Sequence, residues 1–255
     1  MKLSANLSML YPEHGFLDRF GAAAADGFRG VEYVSPYEHA PETIAALLER
    51  HGLEQALFNM PAGDWAAGER GLACLPGREA EFAAGIDTAI AYAQALGCTQ
   101  VNCLAGIIPA GEARDRCESV LVANLALAAE LLGEVGIRVL LEPINQHDMP
   151  GYAISGTAQA EAIMARVGSD NLWLQYDFYH MQVTQGDLLT NFERLQTRIA
   201  HVQVADVPGR HEPGTGEINY PNVFQALDRL GYDGWIGAEY RPLAGTSAGL
   251  GWMRS

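Results

Sequence analysis

Basic residues are scarce in this sequence. Sixteen Lys and Arg face 31 Asp and Glu among 255 residues, a formal net charge of −15 at pH 7. Nucleic acid and anionic membranes both require a basic surface, so neither is expected as a partner. A small acidic substrate is repelled at long range too and must be held by a local cation or a metal, so each arginine near a candidate site counts. Long apolar runs are also missing: no stretch of 18 or more apolar residues occurs, and no membrane span is expected. The opening MKLSANLSML lacks the apolar core and cleavage site of a secretory leader. The four cysteines, Cys74, Cys98, Cys103 and Cys117, show no metal-type spacing and read as reduced thiols, in keeping with a cytoplasmic location. Glycine-rich phosphate cradles are absent as well. EPGTGE (212–217) follows a strand-like run but opens neither a Walker nor a dinucleotide motif.

What the sequence does contain is alternation, and with 49% hydrophobic residues it can bury a large core. Strand-like runs at about 3–9, 30–34, 53–59, 99–104, 137–142, 172–177, 199–206 and 235–239 alternate with helical stretches. The helices are expected near 14–26, 41–51, 78–96, 112–133, 157–167, 187–196 and 220–230. Gly27, Gly52, Gly97, Gly136 and Gly231 fall just before strands, where a helix C-cap is expected. Eight such units favour a closed parallel (β/α)8 TIM barrel over an open sheet, as one domain over 1–255, with a segment near 244–253 closing the ring. An acidic, apolar-rich surface allows a homo-oligomer without specifying one.

Four polar residues sit at or near the C-terminal ends of the last four strand-like runs: Glu142, Asp177, Gln203 and Glu239. Their spacings of 35, 26 and 36 residues each span about one strand plus one helix. In consecutive parallel strands their side chains converge on one mouth of the barrel, where such folds build active sites. Three carboxylates meeting there repel one another unless a cation neutralises them, and oxygen donors suit a hard divalent ion. A single such strand-end residue would be read as a partner for a rim arginine; four polar residues on successive strands, three of them carboxylates, point to metal. His180, three residues beyond Asp177, is either a substrate-binding group or an ordinary loop residue. His201, one pleat deeper than Gln203, reads as a hydrogen-bonded core histidine. The long connection PAGDWAAGERG (61–71) offers Arg70 to grip a carboxylate and Trp65 to shield the site from water; its plainer reading is a surface loop whose Glu69 and Arg70 pair. VPGRHEPGTGE (207–217) carries Arg210, a second candidate for bidentate carboxylate binding.

The segments SANLSML (4–10), GFRGVEY (27–33), NMPAGDWAAGERG (59–71), LEPIN (141–145), QYDFYHMQ (175–182) and GRHEPGTGEINY (209–220) together resemble the hydroxypyruvate isomerase family, within the xylose isomerase-like barrels. The likeness runs over essentially the whole chain. Two departures are visible: His211 stands where Gly is expected, and Phe58 stands where relatives often have His. The resemblance implies that Glu142 and Glu239 are the paired catalytic carboxylates and that Asp177 and Gln203 complete the metal site with them. Gln in place of the His common in the wider group tilts the metal toward Mg2+ or Mn2+. The implied reaction interconverts hydroxypyruvate and tartronate semialdehyde through an enediolate. A 2-oxo-tetronate isomerase, a ketose 3-epimerase and a non-catalytic metabolite-binding barrel remain as alternatives. Repair endonucleases share the barrel but need a His-rich zinc cluster and a basic DNA face, which seven scattered His and this charge do not offer.

Overall fold

Apolar runs punctuated by glycine form eight strands in the structure, a computed structural model that describes residues 1–254. They are β1 (Lys2–Asn6), β2 (Gly30–Tyr33), β3 (Glu54–Phe58), β4 (Gln100–Asn102), β5 (Arg138–Leu141), β6 (Leu172–Asp177), β7 (Ile199–Val204) and β8 (Trp235–Ala238). The helices are α1 (Arg19–Ala25), α2 (Pro41–His51), α3 (Glu79–Leu96), α4 (Arg114–Glu134), α5 (Thr157–Val167), α6 (Phe178–Thr184), α7 (Leu188–Leu195) and α8 (Tyr220–Arg229). Gly52, Gly97 and Gly168 end α2, α3 and α5 in the left-handed conformation, which a residue without Cβ adopts freely.

All paired strands are parallel, in the order β3-β2-β1-β8-β7-β6-β5-β4. The ring closes between β3 and β4 through a parallel bridge, Asn59 to Asn102, beside which the Met60 N–H donates to the Asn102 carbonyl at 2.8 Å. The eight-stranded TIM barrel is therefore as predicted. The 244–253 segment closes the outer layer rather than the sheet, as a 3-10 helix (Ser247–Arg254) whose Trp252 stacks on Phe224 of α8. One helix escaped sequence reading. α6 begins directly after Asp177, with neither glycine nor proline between strand and helix, and QYDFYHMQ reads as a strand running into a loop.

The main apolar core lies between sheet and helices, where Phe20, Tyr33, Phe58, Tyr176, Phe178 and Phe192 are all buried. Phe58, one of the two departures, packs edge-on to Tyr37 in this layer and does not line the mouth. The barrel interior differs. Beyond a small apolar cluster of Leu57, Leu140 and Ala200, it is filled by Ser4, Asn6, Glu32, Gln175, His201 and Gln203, all buried. A Cβ at Gly237 would collide with the Glu32 carboxylate, so this glycine makes room for a charge in the interior.

Candidate active site

The strand register sets the height of each candidate. Asp177, the last residue of β6, pairs level with Gln203, and Gln203 with Gly237; Glu239 stands one pleat higher, just past β8, and Glu142 just past β5. All four are buried, from 1% exposed for Asp177 to 8% for Glu239. Glu142 and Glu239 line both an inner chamber of about 20 Å3 and a mouth cavity of about 470 Å3 above it. The chamber has room for one water-sized particle. Gln203 lines the chamber but not the mouth.

Arg210 is the cation of this cluster. Its Nη2 lies 3.5 Å from Asp177 Oδ2 and 3.3 Å from Glu239 Oε2, and its Nη1 4.0 Å from Asp148 Oδ2. Its guanidinium also rests over the Tyr179 ring. One guanidinium against Glu142, Asp177 and Glu239 leaves excess negative charge underground. Burial, with Glu239 and Asp177 adding to it, pushes the Glu142 carboxyl well above the usual carboxylate range. Burial raises Glu239 to about 8 and Asp177 to about 6, in each case against the pull of Arg210. A divalent cation is the natural complement of such a set, and the oxygen donors fit one.

The orientation of His180 follows from its neighbours. The Asp148 N–H donates to Asn145 Oδ1 at 2.8 Å, which turns the Asn145 amide nitrogen toward His180 Nδ1 at 2.7 Å. Nδ1 therefore accepts, and Nε2 carries the proton. Burial, then Arg210, holds the ring's pKa well below the ordinary histidine value, so it is neutral. Nε2 lies 3.5 Å from Asp177 Oδ2 and 3.9 Å from Glu142 Oε1. The three groups are close enough to hold an ion together. With Nε2 protonated, however, His180 is a hydrogen-bond donor aimed into the cluster rather than a ligand.

Below them, Glu32 organises the interior. It accepts from Ser4 Oγ at 2.7 Å and from Gln203 Nε2 at 2.8 Å, and His201 Nε2 lies 2.9 Å away. Burial raises its carboxyl pKa, but His201, Gln203 and Ser4 together outweigh burial and hold it below the usual range. Binding Glu32 through nitrogen turns the Gln203 oxygen the other way, where it accepts from Gln175 Nε2 at 2.6 Å. Offering that oxygen to a metal requires the Gln175 amide to turn aside. His201, with Gln100 Nε2 at 3.3 Å from Nδ1, is a core histidine as predicted.

The loop residues separate. Arg210 reaches the site from a left-handed conformation (φ 54°) in the loop after β7. That loop is gathered by Asp206, whose carboxylate accepts from the backbone N–H of Val207, Gly214, Gly216 and Ile218 at 2.8–3.0 Å. Trp65 lines the mouth cavity and borders a neighbouring cavity of about 750 Å3 as well. Arg70 stacks on Trp65 at 3.9 Å, donates to the Trp65 and Glu69 carbonyls, and does not line the mouth. Glu69 pairs with Arg78 rather than with Arg70. Sequence reading missed Glu32, Asn145, Asp206 and Arg241. Of these only Arg241 carried a signal, standing two residues past Glu239.

Comparison with known proteins gives the family. The family model for xylose isomerase-like TIM barrels matches residues 20–255. A 2-oxo-tetronate isomerase of Cupriavidus necator is 54% identical over 253 residues, covering 99% of this chain and 97% of its own. The hydroxypyruvate isomerase of Escherichia coli is 49% identical over 253 residues, with 99% and 98% covered. The crystal structure of an AP endonuclease, family 2, from Brucella melitensis matches with a TM-score of 0.97 and 45% identity, covering 100% of this chain and 98% of that one. The chain belongs to the xylose isomerase-like TIM barrels, in their hydroxypyruvate isomerase branch, and is an isomerase.

Proposed function

We propose that this isomerase interconverts hydroxypyruvate and tartronate semialdehyde by moving a proton between adjacent carbons. The observation that carries the reading is the placement of Glu142 and Glu239, buried at the ends of β5 and β8 and lining the chamber and the mouth alike. One carboxylate takes the proton from C3 while the electron pair moves onto the C2 carbonyl oxygen, giving an enediolate. The C3 hydroxyl proton passes to that oxygen, and the other carboxyl group, protonated beforehand, gives its proton to C2, leaving an aldehyde at C3. His180 Nε2–H is a neutral donor to a substrate oxygen in this cluster. Arg210 Nε, a buried donor without a hydrogen-bond partner among the described residues, is another. Trp65 limits water at the mouth. A divalent cation, Mg2+ or Mn2+, held by Glu142, Asp177, Glu239 and Gln203, supplies positive charge against the enediolate oxygens when bound.

A second reading shares every residue and changes the acid. The 2-oxo-tetronate isomerase at 54% identity and a mouth cavity of about 470 Å3, ample for a four-carbon acid, favour 2-oxo-tetronate. Proton NMR in D2O with chelator-stripped and Mg2+- or Mn2+-restored protein tests both acids in parallel. Metal-dependent exchange at C3 is the expected result, with growth of an aldehyde signal from hydroxypyruvate and of the 3-oxo isomer from 2-oxo-tetronate. Silence with both acids removes the 2-oxo acid reading and leaves ketose sugars as the next substrates to try.

A further inference from the structure

The molecule is strongly acidic, yet the proposed substrates carry a carboxylate, so a cation at the mouth has to receive it. Neither arginine expected from the sequence is free to do so. Arg210 turns inward, with its side chain 14% exposed and both terminal nitrogens directed at Asp148, Asp177 and Glu239. Its charge already serves the buried carboxylates. Arg70 is folded onto Trp65 in its own loop.

A different arginine lines the mouth. Arg241 follows Glu239 by two residues, faces solvent, and makes no ion pair or side-chain hydrogen bond among the described residues. Its backbone is fixed at both ends of the peptide unit. The Arg241 N–H donates to the Arg210 carbonyl at 2.8 Å, and the Arg241 carbonyl lies 2.7 Å from His211 Nδ1. His211, the departure from the expected glycine, thus ties Arg241 to the loop that carries Arg210. The tie holds the base of the Arg241 side chain beside the catalytic Glu239 while leaving its guanidinium uncommitted.

We infer that Arg241 is the specificity-determining residue for an acid substrate, binding its carboxylate at the mouth while the reacting carbons lie between Glu142 and Glu239. The inference rests on the 2-oxo acid reading above. A guanidinium presents paired N–H donors that match the two oxygens of a carboxylate. An exposed, unpaired Arg needs no partner broken before it binds. The arrangement divides labour between neighbours: Arg210 neutralises the catalytic carboxylates, and Arg241 selects an anionic tail over a neutral sugar end.

The experiment uses the Mg2+-loaded full chain as wild type, Arg241→Ala and Arg241→Lys. Each is assayed with hydroxypyruvate and 2-oxo-tetronate, and titrated calorimetrically with tartronate, a carboxylate that cannot isomerise. Loss of a charge-assisted contact is expected to weaken tartronate binding and raise KM about tenfold or more in Arg241→Ala, with kcat within about threefold of wild type. Arg241→Lys, which keeps the charge without the fork, recovers part of the loss. Equal tartronate affinity in wild type and Arg241→Ala overturns the assignment, as does a variant that loses kcat while KM stays put. No tartronate binding to the wild type overturns it too. Weakened tartronate binding alongside a wild type that turns over neither acid supports Arg241 as the carboxylate clamp and overturns the substrate reading instead.

Discussion

Glu142 and Glu239 are held where a carboxylate is least comfortable, buried and beside other acids, a setting that suits the proton transfer proposed for them. Replacing either by Gln removes the base and keeps the shape. Glu142→Gln and Glu239→Gln are each expected to lower kcat by at least ~10²-fold while leaving thermal stability intact, read by the NMR assay and a melting curve. Near-normal turnover in either variant takes that residue out of the mechanism. Glu32 behaves oppositely: its charge is matched by Ser4, Gln203 and His201. Glu32→Ala strips these partners of their acceptor and is expected to cost about 3–5 kcal/mol in denaturant unfolding. A loss below about 1 kcal/mol would show that the interior polar set does not depend on it. The strand-end acids were legible because each stands at the end of an apolar run. Glu32 was not, since GVEY looks like any strand with one outward charge.

The loop after β7 shows how an element without regular structure is held still. One carboxylate, Asp206, receives four backbone N–H groups from positions 207 to 218 and so fixes the path that brings Arg210 inward. Asp206→Ala leaves those donors to part-time water and is expected to destabilise the protein by about 2–4 kcal/mol. Faster hydrogen exchange at Gly214 and Gly216, with a fall in kcat/KM as Arg210 loses its station, completes the expected result. Unchanged exchange at these glycines would mean that other contacts hold the loop. A sequence pass sees VPGRHEPGTGE as turn-forming residues and cannot see which acid gathers them, because any nearby Asp or Glu would serve on paper. α6 was hidden for a related reason. Its first turn is capped by the Asp177 side chain, accepting from the Tyr179 N–H, while the same residue reads as a strand end.

Across the whole molecule the net charge of −15 sets a diffuse field that opposes acidic substrates. Salt screens such a field over a Debye length of about 10 Å at 0.1 M. In Arg241→Ala the mouth loses its solvent-facing arginine while Arg210 stays committed to the buried carboxylates, so the diffuse repulsion weighs more and kcat/KM for a 2-oxo acid is expected to rise with added NaCl. The wild type, whose local cation also weakens in salt, should respond less. Equal salt slopes in both proteins would argue that the field, rather than Arg241, governs capture. None of the described helices is long and apolar enough to cross a membrane. The sequence alone determined the succession of strands and helices, the glycine-capped helix ends and the strand-end positions of Glu142, Asp177, Gln203 and Glu239, because periodicity and punctuation are local properties of a chain. Only the tertiary structure decided the closure at Asn59 and Asn102, the protonated face of His180, the inward turn of Arg210 and the polar filling of the barrel. These depend on which side chains meet, and the partners come from distant strands: Gln203 and Glu32, hydrogen-bonded at the centre of the barrel, are 171 residues apart in sequence.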